Sequence, residues 1–171
     1  MMPPVLFIAA LAALSQPTAY SQIGATGEQS EATNGKFSVK MLVTDDLDGF
    51  WKAWEGPTPP NISTTSRITR VKPVFAMLVF AGCASGTDGK CKVSVTYSIT
   101  APDGSAYGDA IDAEAWSGPS AGQNLIAALS SFGFRLEPQD KLGAYRVTAK
   151  MTDEIAHESL TVNETVTAMD N

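Results

Sequence analysis

Strict apolar–polar alternation recurs at separated places along this chain and limits its fold more than any other feature. Phe37, Val39, Met41 and Val43 alternate with Ser38 and Lys40, and Val93, Val95, Tyr97 and Ile99 alternate with Ser94, Thr96 and Ser98. Phe132, Phe134 and Leu136 flank Gly133 and Arg135, while Tyr145, Val147, Ala149 and Met151 flank Arg146, Thr148 and Lys150. A period of two sets one face of each segment against a shared core, whereas a helix would scatter the same residues around its axis. Leu160 to Val166 reads as a last strand, with Glu164 interrupting its apolar face. Val74 to Phe80 (V-F-A-M-L-V-F) is apolar throughout, as a central strand covered on both faces must be.

Turn chemistry separates these runs. In Ala101 to Ser105 (A-P-D-G-S), Pro102 fixes φ and Gly104 accepts a positive φ. Thr87-Asp88-Gly89-Lys90 makes a similar reversal, and Pro138 to Gly143 precedes the tyrosine strand. Short strands so punctuated predict an all-β sandwich over residues 36–171, with about seven or eight strands. Asp48 to Glu55 (D-G-F-W-K-A-W-E) is the exception, a short helix capped by Asp48 and ended by Gly56-Pro57. Gln123 to Ser131 fits either a helical turn or a strand crossing between sheets.

The stretch from Asp140 to Asp153 (D-K-L-G-A-Y-R-V-T-A-K-M-T-D) resembles the late strand of immunoglobulin-like and fibronectin type III-like sandwiches. Those folds carry an acidic turn, then Gly-x-Tyr, then alternating apolar residues. Val147 stands where an immunoglobulin has its second inter-sheet cysteine, so that bridge is absent. Tyr145 stands either to make a tyrosine-corner hydrogen bond or simply to fill the core. The wider pattern of F-A-G-C, V-T-Y-S-I-T-A-P-D-G-S-A-Y and G-A-Y-R-V resembles uncharacterised exported bacterial proteins of Ig-like type. The resemblance implies an antiparallel Ig-like sandwich and an exported location, and it carries no active site across.

The N-terminus agrees with export. Val5 to Leu14 (V-L-F-I-A-A-L-A-A-L) is too short to cross a bilayer as an ordinary helix and suits a signal-peptide core. Ala19 and Ser21 are spaced for cleavage after Ser21, giving a signal at 1–21, with cleavage after Ala19 as the alternative. No Lys or Arg precedes Lys36, so the usual basic start is missing. Residues 22–35 are small, polar and aperiodic, and read as a flexible lead. The expected location is periplasmic or secreted, with nothing spanning the membrane after cleavage. Cys83 and Cys91 are the only cysteines, and in an exported chain so close a pair reads as a disulfide pinning a hairpin. Its closure is worth roughly 2–3 kcal/mol in the chain-entropy model.

A net charge of −6, spread along the chain, excludes the clustered basic footprint that nucleic acid requires. Catalysis finds little material. His157 is the sole histidine, it lies in the turn-like D-E-I-A-H-E-S, and no G-x-S-x-G is present. A hydrolase using His157 is thus the third reading, and no cofactor is implied. Thr44 to Glu55 aligns in part with a calcium loop, placing Asp46, Asp48 and Glu55 as oxygen donors, but its first position is Thr44 instead of Asp. Asn61-Ile62-Ser63 and Asn163-Glu164-Thr165 match the glycosylation pattern, which matters only in a eukaryotic secretory pathway.

Aromatic residues carry the main functional signal. Phe50, Trp51 and Trp54 crowd before the stiff Gly56-Pro57-Thr58-Pro59-Pro60, and Trp116 either joins their surface or fills the core. Such a cluster either caps one end of the sandwich core or presents an anchor to a partner, since tryptophan is enriched at binding hot spots. The leading expectation is a non-catalytic interaction module with a protein partner. The alternative is a carbohydrate-binding module stacking Trp51, Trp54 or Trp116 on a sugar.

Overall fold

Each alternating segment becomes a strand with its apolar set turned inward. The computed structural model describes residues 30–56 and 60–170, so the signal at 1–21 and residues 22–29 of the lead lie outside the described residues. The elements run β1 (Glu31–Asn34), β2 (Phe37–Thr44), α1 (Leu47–Trp54), β3 (Arg67–Thr69), β4 (Val74–Ala81), β5 (Val93–Thr100), β6 (Ile111–Trp116), β7 (Ile126–Ala127), β8 (Phe132–Phe134), β9 (Gly143–Asp153) and β10 (Glu158–Met169). One sheet has the order β1-β2-β4-β7, with β8 also on β4; the other has the order β3-β10-β9-β5-β6. The two sheets pack as a sandwich around Phe37, Met41, Leu78, Phe80, Tyr97, Tyr145, Met151 and Val162, all buried.

The strand count exceeds the expected seven or eight because β1, β3 and β7 have four residues or fewer, too few to show a period. β3 also departs from the antiparallel rule, pairing parallel with the end of β10. β1 corrects the flexible lead, since Glu31–Asn34 pair antiparallel with Phe37–Lys40. Gly35 opens the two-residue turn between them at φ +58°, which a hairpin with glycine at its first central position accepts. The open segment at 123–131 resolves as a crossing strand. Ala128 N donates to Leu78 O in one sheet at 2.8 Å, and Leu129 N donates to Ala115 O in the other, also at 2.8 Å.

Cys83 and Cys91 are joined, with S–S 2.09 Å and Cα–Cα 6.0 Å. They do not pin a hairpin. β4 pairs with β2, β7 and β8, while β5 pairs with β6 and β9, so the bridge closes an arch that carries the chain from one sheet to the other. Asp153, at the end of β9, is buried beneath this arch. Its carboxylate accepts from Ala84 N at 2.6 Å, Ile155 N at 3.0 Å and Ala156 N at 3.1 Å. One side chain thereby ties the arch to the β9–β10 turn and satisfies three backbone donors. Tyr145 serves both roles open to it. It is buried, and its hydroxyl donates to Lys141 O at 2.9 Å, the geometry of a tyrosine corner.

Candidate functional site

α1 lies on the outer face of the β2–β4–β7 sheet. Alternation along β4 sends Val74, Ala76, Leu78 and Phe80 into the sandwich and leaves Phe75, Met77 and Val79 facing out. An apolar outer face needs a cover, and the helix supplies it. Phe50, Leu47, Trp51 and Trp54 pack with Leu42, Phe75, Met77, Val79, Ala127 and Ile62 in a second, smaller core. The cap is Asp46 and not Asp48. The Asp46 side chain accepts from Gly49 N at 2.8 Å, the third helical residue, whereas Asp48 sits inside the first turn where its charge suits the helix dipole. Asp46 N in turn donates to Thr44 Oγ1 at 3.1 Å.

This geometry sorts the expected site residues. Phe50 is 2% exposed and cannot be a contact anchor; it is the peg that fixes the helix. Trp51 meets its ring edge-on at 5.3 Å and 88°, and Trp54 stacks on it at 5.9 Å and 5°. Both indoles remain half-buried, so each combines a fixed orientation with residual exposure. The aromatic group covers a sheet face instead of capping an end of the sandwich. Trp116 does not join it. Trp116 packs on the main core, its Nε1 donates to Pro119 O at 3.2 Å, and its ring lies against Gly118, where an added Cβ would fall 2.6 Å from Cζ2.

The calcium alignment fails in geometry, because the segment between its donors is helical. At about 1.5 Å of rise per residue, Asp46 and Glu55 stand at opposite ends of α1, roughly 13 Å apart. Among the described residues, no group of three His, Cys, Asp or Glu side chains is placed to hold a metal ion. His157 is exposed at φ +57° in the four-residue loop between β9 and β10. Its position answers a turn's need for a left-handed residue, and among the described residues no hydroxyl or carboxylate hydrogen-bonds its ring.

Two of the depressions elsewhere among the described residues carry carboxylates. One, of about 490 Å³, opens beside the arch between Lys36, Ala84, Gln123, Asp153 and Glu158. Both Asp153 oxygens there are engaged by backbone donors. The other, of about 510 Å³, lies on the outer face of β5 and β6 beside Asp112, Glu114 and Glu154. Each of these carboxylates accepts from a hydroxyl, of Thr96, Ser117 and Ser94 respectively.

Sequence reasoning missed Leu125 and Leu129, which are 60% and 61% exposed. They flank β7, whose Ala127 belongs to the α1 layer. The L-I-A-A-L spacing was visible, but at four residues it suits one helix face and one strand face equally.

The fold so defined is a two-sheet β-sandwich with a helical cover on one outer face. No protein-family model matches the sequence, and no curated protein matches it. Among solved structures, it is similar to a family 123 glycoside hydrolase from Clostridium perfringens, at 7% identity over 78% of this chain and a TM-score of 0.46. It is also similar to a Niemann-Pick type C2 protein from Japanese carpenter ant, at 12% identity over 84% of this chain and 96% of that chain, with a TM-score of 0.39. The chain spans 28% of the length of the glycoside hydrolase. Likeness at this level carries neither ligand nor activity across.

Proposed function

We propose that this chain is an exported, non-catalytic binding module that meets its partner through the α1 layer. The observation that carries the reading is the pair Trp51 and Trp54, held in fixed orientations by Phe50 and still partly exposed. Rigid aromatic side chains lose little conformational entropy on binding, which is why they recur as interface anchors. Export is supported by the apolar run at residues 5–14 and by the Cys83–Cys91 bridge, which persists in oxidising compartments. Among the described residues, no helix is long and apolar enough to cross a membrane.

The test is an in-cell crosslinking pull-down of tagged wild type against a Trp51→Ala/Trp54→Ala variant with a matched circular dichroism spectrum. A defined protein captured by wild type and lost in the variant supports the reading. A capture indifferent to the double change removes it. Quenching of tryptophan fluorescence by soluble glycans would move the ligand class to carbohydrate. Mass spectrometry of the natural protein tests export separately: the mature chain should begin after Ser21 or Ala19, and an intact Met1 would contradict it.

A further inference from the structure

We infer that Asn34 is a self-modification site. With water as the co-reactant, its carboxamide converts to aspartate and isoaspartate through attack by the backbone nitrogen of Gly35. Asparagine before glycine is the pairing this chemistry needs, because glycine has no Cβ to crowd its own nitrogen and reaches conformations closed to other residues. Both residues are exposed, in the hairpin that joins the edge strand β1 to β2. The ladder closes on the Asn34–Phe37 pair, so the Gly35 nitrogen lies outside it, and a Cβ built on Gly35 meets nothing within 4 Å. Among the described residues, nothing hydrogen-bonds the Asn34 side chain.

The fold ties up the other places where the same ring could close. Asp48-Gly49, Asp88-Gly89 and Asp103-Gly104 share the glycine context, but each glycine nitrogen is already a donor. Gly49 N donates to Asp46 Oδ1 at 2.8 Å, Gly89 N to Gly86 O at 3.0 Å and Gly104 N to Ala101 O at 2.9 Å. Asn61, Asn124 and Asn163 precede Ile62, Leu125 and Glu164, whose side chains crowd the attack. At Asn34 the Gly35 nitrogen bonds to Cγ as the Cγ–Nδ2 bond breaks, and Nδ2 leaves as ammonia with the proton that Gly35 gives up. Water then opens the succinimide. Breaking the bond from nitrogen to Cγ gives aspartate; breaking the bond from nitrogen to the main-chain carbonyl carbon gives isoaspartate. Either product adds a negative charge, and isoaspartate also routes the backbone through Cβ and Cγ. That extra atom falls at the closing pair of the β1–β2 ladder, where the turn sets the register, so isoaspartate releases β1 from β2.

The test incubates the folded full chain in heavy-oxygen water at mildly alkaline pH and maps its peptides by mass spectrometry, with isoaspartyl methyltransferase labelling isoaspartate. The expected result is a mass rise of about 1 Da at Asn34, plus the heavy-oxygen increment that dates the event to the incubation. Asn61, Asn124 and Asn163 should stay unchanged, and Asn34→Gln should abolish the rise. In denaturant, labelling should spread to Asp48, Asp88 and Asp103, whose glycine nitrogens are then released. Exchange of the Met41 amide, which donates to Ser30 O at 2.7 Å across the hairpin, should quicken in the isoaspartate fraction and not in the aspartate fraction. A folded chain that stays unconverted while a free peptide of residues 31–37 converts would overturn the inference. So would the same rise in Asn34→Gln, or labelling of the three aspartates as fast in the folded chain as in the unfolded one. Unchanged Met41 exchange in the isoaspartate fraction would refute the release of β1.

Discussion

Asp153→Asn gives the sharpest test of how the arch is held. The wild-type carboxylate is buried, with one oxygen accepting from Ala84 N and the other from Ile155 N and Ala156 N. Asparagine keeps one acceptor oxygen and replaces the second with a donor. With the oxygen turned toward Ile155 and Ala156, the amide NH₂ confronts Ala84 N–H, and that bond is lost. A hydrogen bond to a charged group contributes about 1.5–3 kcal/mol, so a loss of about 2 kcal/mol is expected, tempered by water entering the open depression beside the site. For the roughly 140 described residues, 1 kcal/mol corresponds to roughly 3–4 °C, so the melting temperature should fall by about 7 °C. Urea unfolding at neutral pH, followed by tryptophan fluorescence, measures this directly, with the midpoint lowered and the m-value unchanged. A loss below about 0.5 kcal/mol would mean that the three donors find other partners, and the proposed tie between arch and turn would be wrong.

Phe50→Ala should destabilise by about 3–4 kcal/mol, since it empties the centre of the second core, and denaturant unfolding checks it. Val71 is a β-branched residue at φ +63° and is 50% exposed, so Val71→Asn should stabilise by about 1 kcal/mol in the same assay. Burial pushes the hydroxyl of Tyr97 up to about 12, and burial with the adjoining Asp140 carboxylate does the same to Tyr107. Because these pKa values are raised in the fold, the neutral form stabilises it fully below about pH 10, and that stability is lost as pH climbs toward 12. A spectrophotometric titration should therefore show both phenols ionising only near unfolding, and Tyr97→Phe should extend the alkaline limit.

What the sequence disclosed followed from side-chain period. The sandwich, the inward sets of β2, β5 and β9, and the double-sided burial of β4 were all readable from alternation or its absence. Period identifies which face is covered and says nothing about what covers it. The aromatic helix was therefore left either capping an end of the core or facing a partner, although Phe75, Met77 and Val79 were already asking for an outer cover. β1 was hidden by its polar composition, although Asn34-Gly35 before an alternating strand is a hairpin signal. Asp153 could not be found at all, because an acid closing a strand before a turn reads as solvated until the arch folds over it. The tryptophans of the candidate site were legible by composition; the exposure of Leu125 and Leu129 beside β7 was not.

Site-specific photocrosslinking tests whether the partner sits on the α1 layer without truncating any core side chain. A benzophenone amino acid would replace exposed Lys52 on α1 or, as control, exposed Lys150 on the outer face of the other sheet. Irradiation in cells should yield one discrete adduct from position 52 and none of that mass from position 150. The same adduct from both positions, or from position 150 alone, would contradict it.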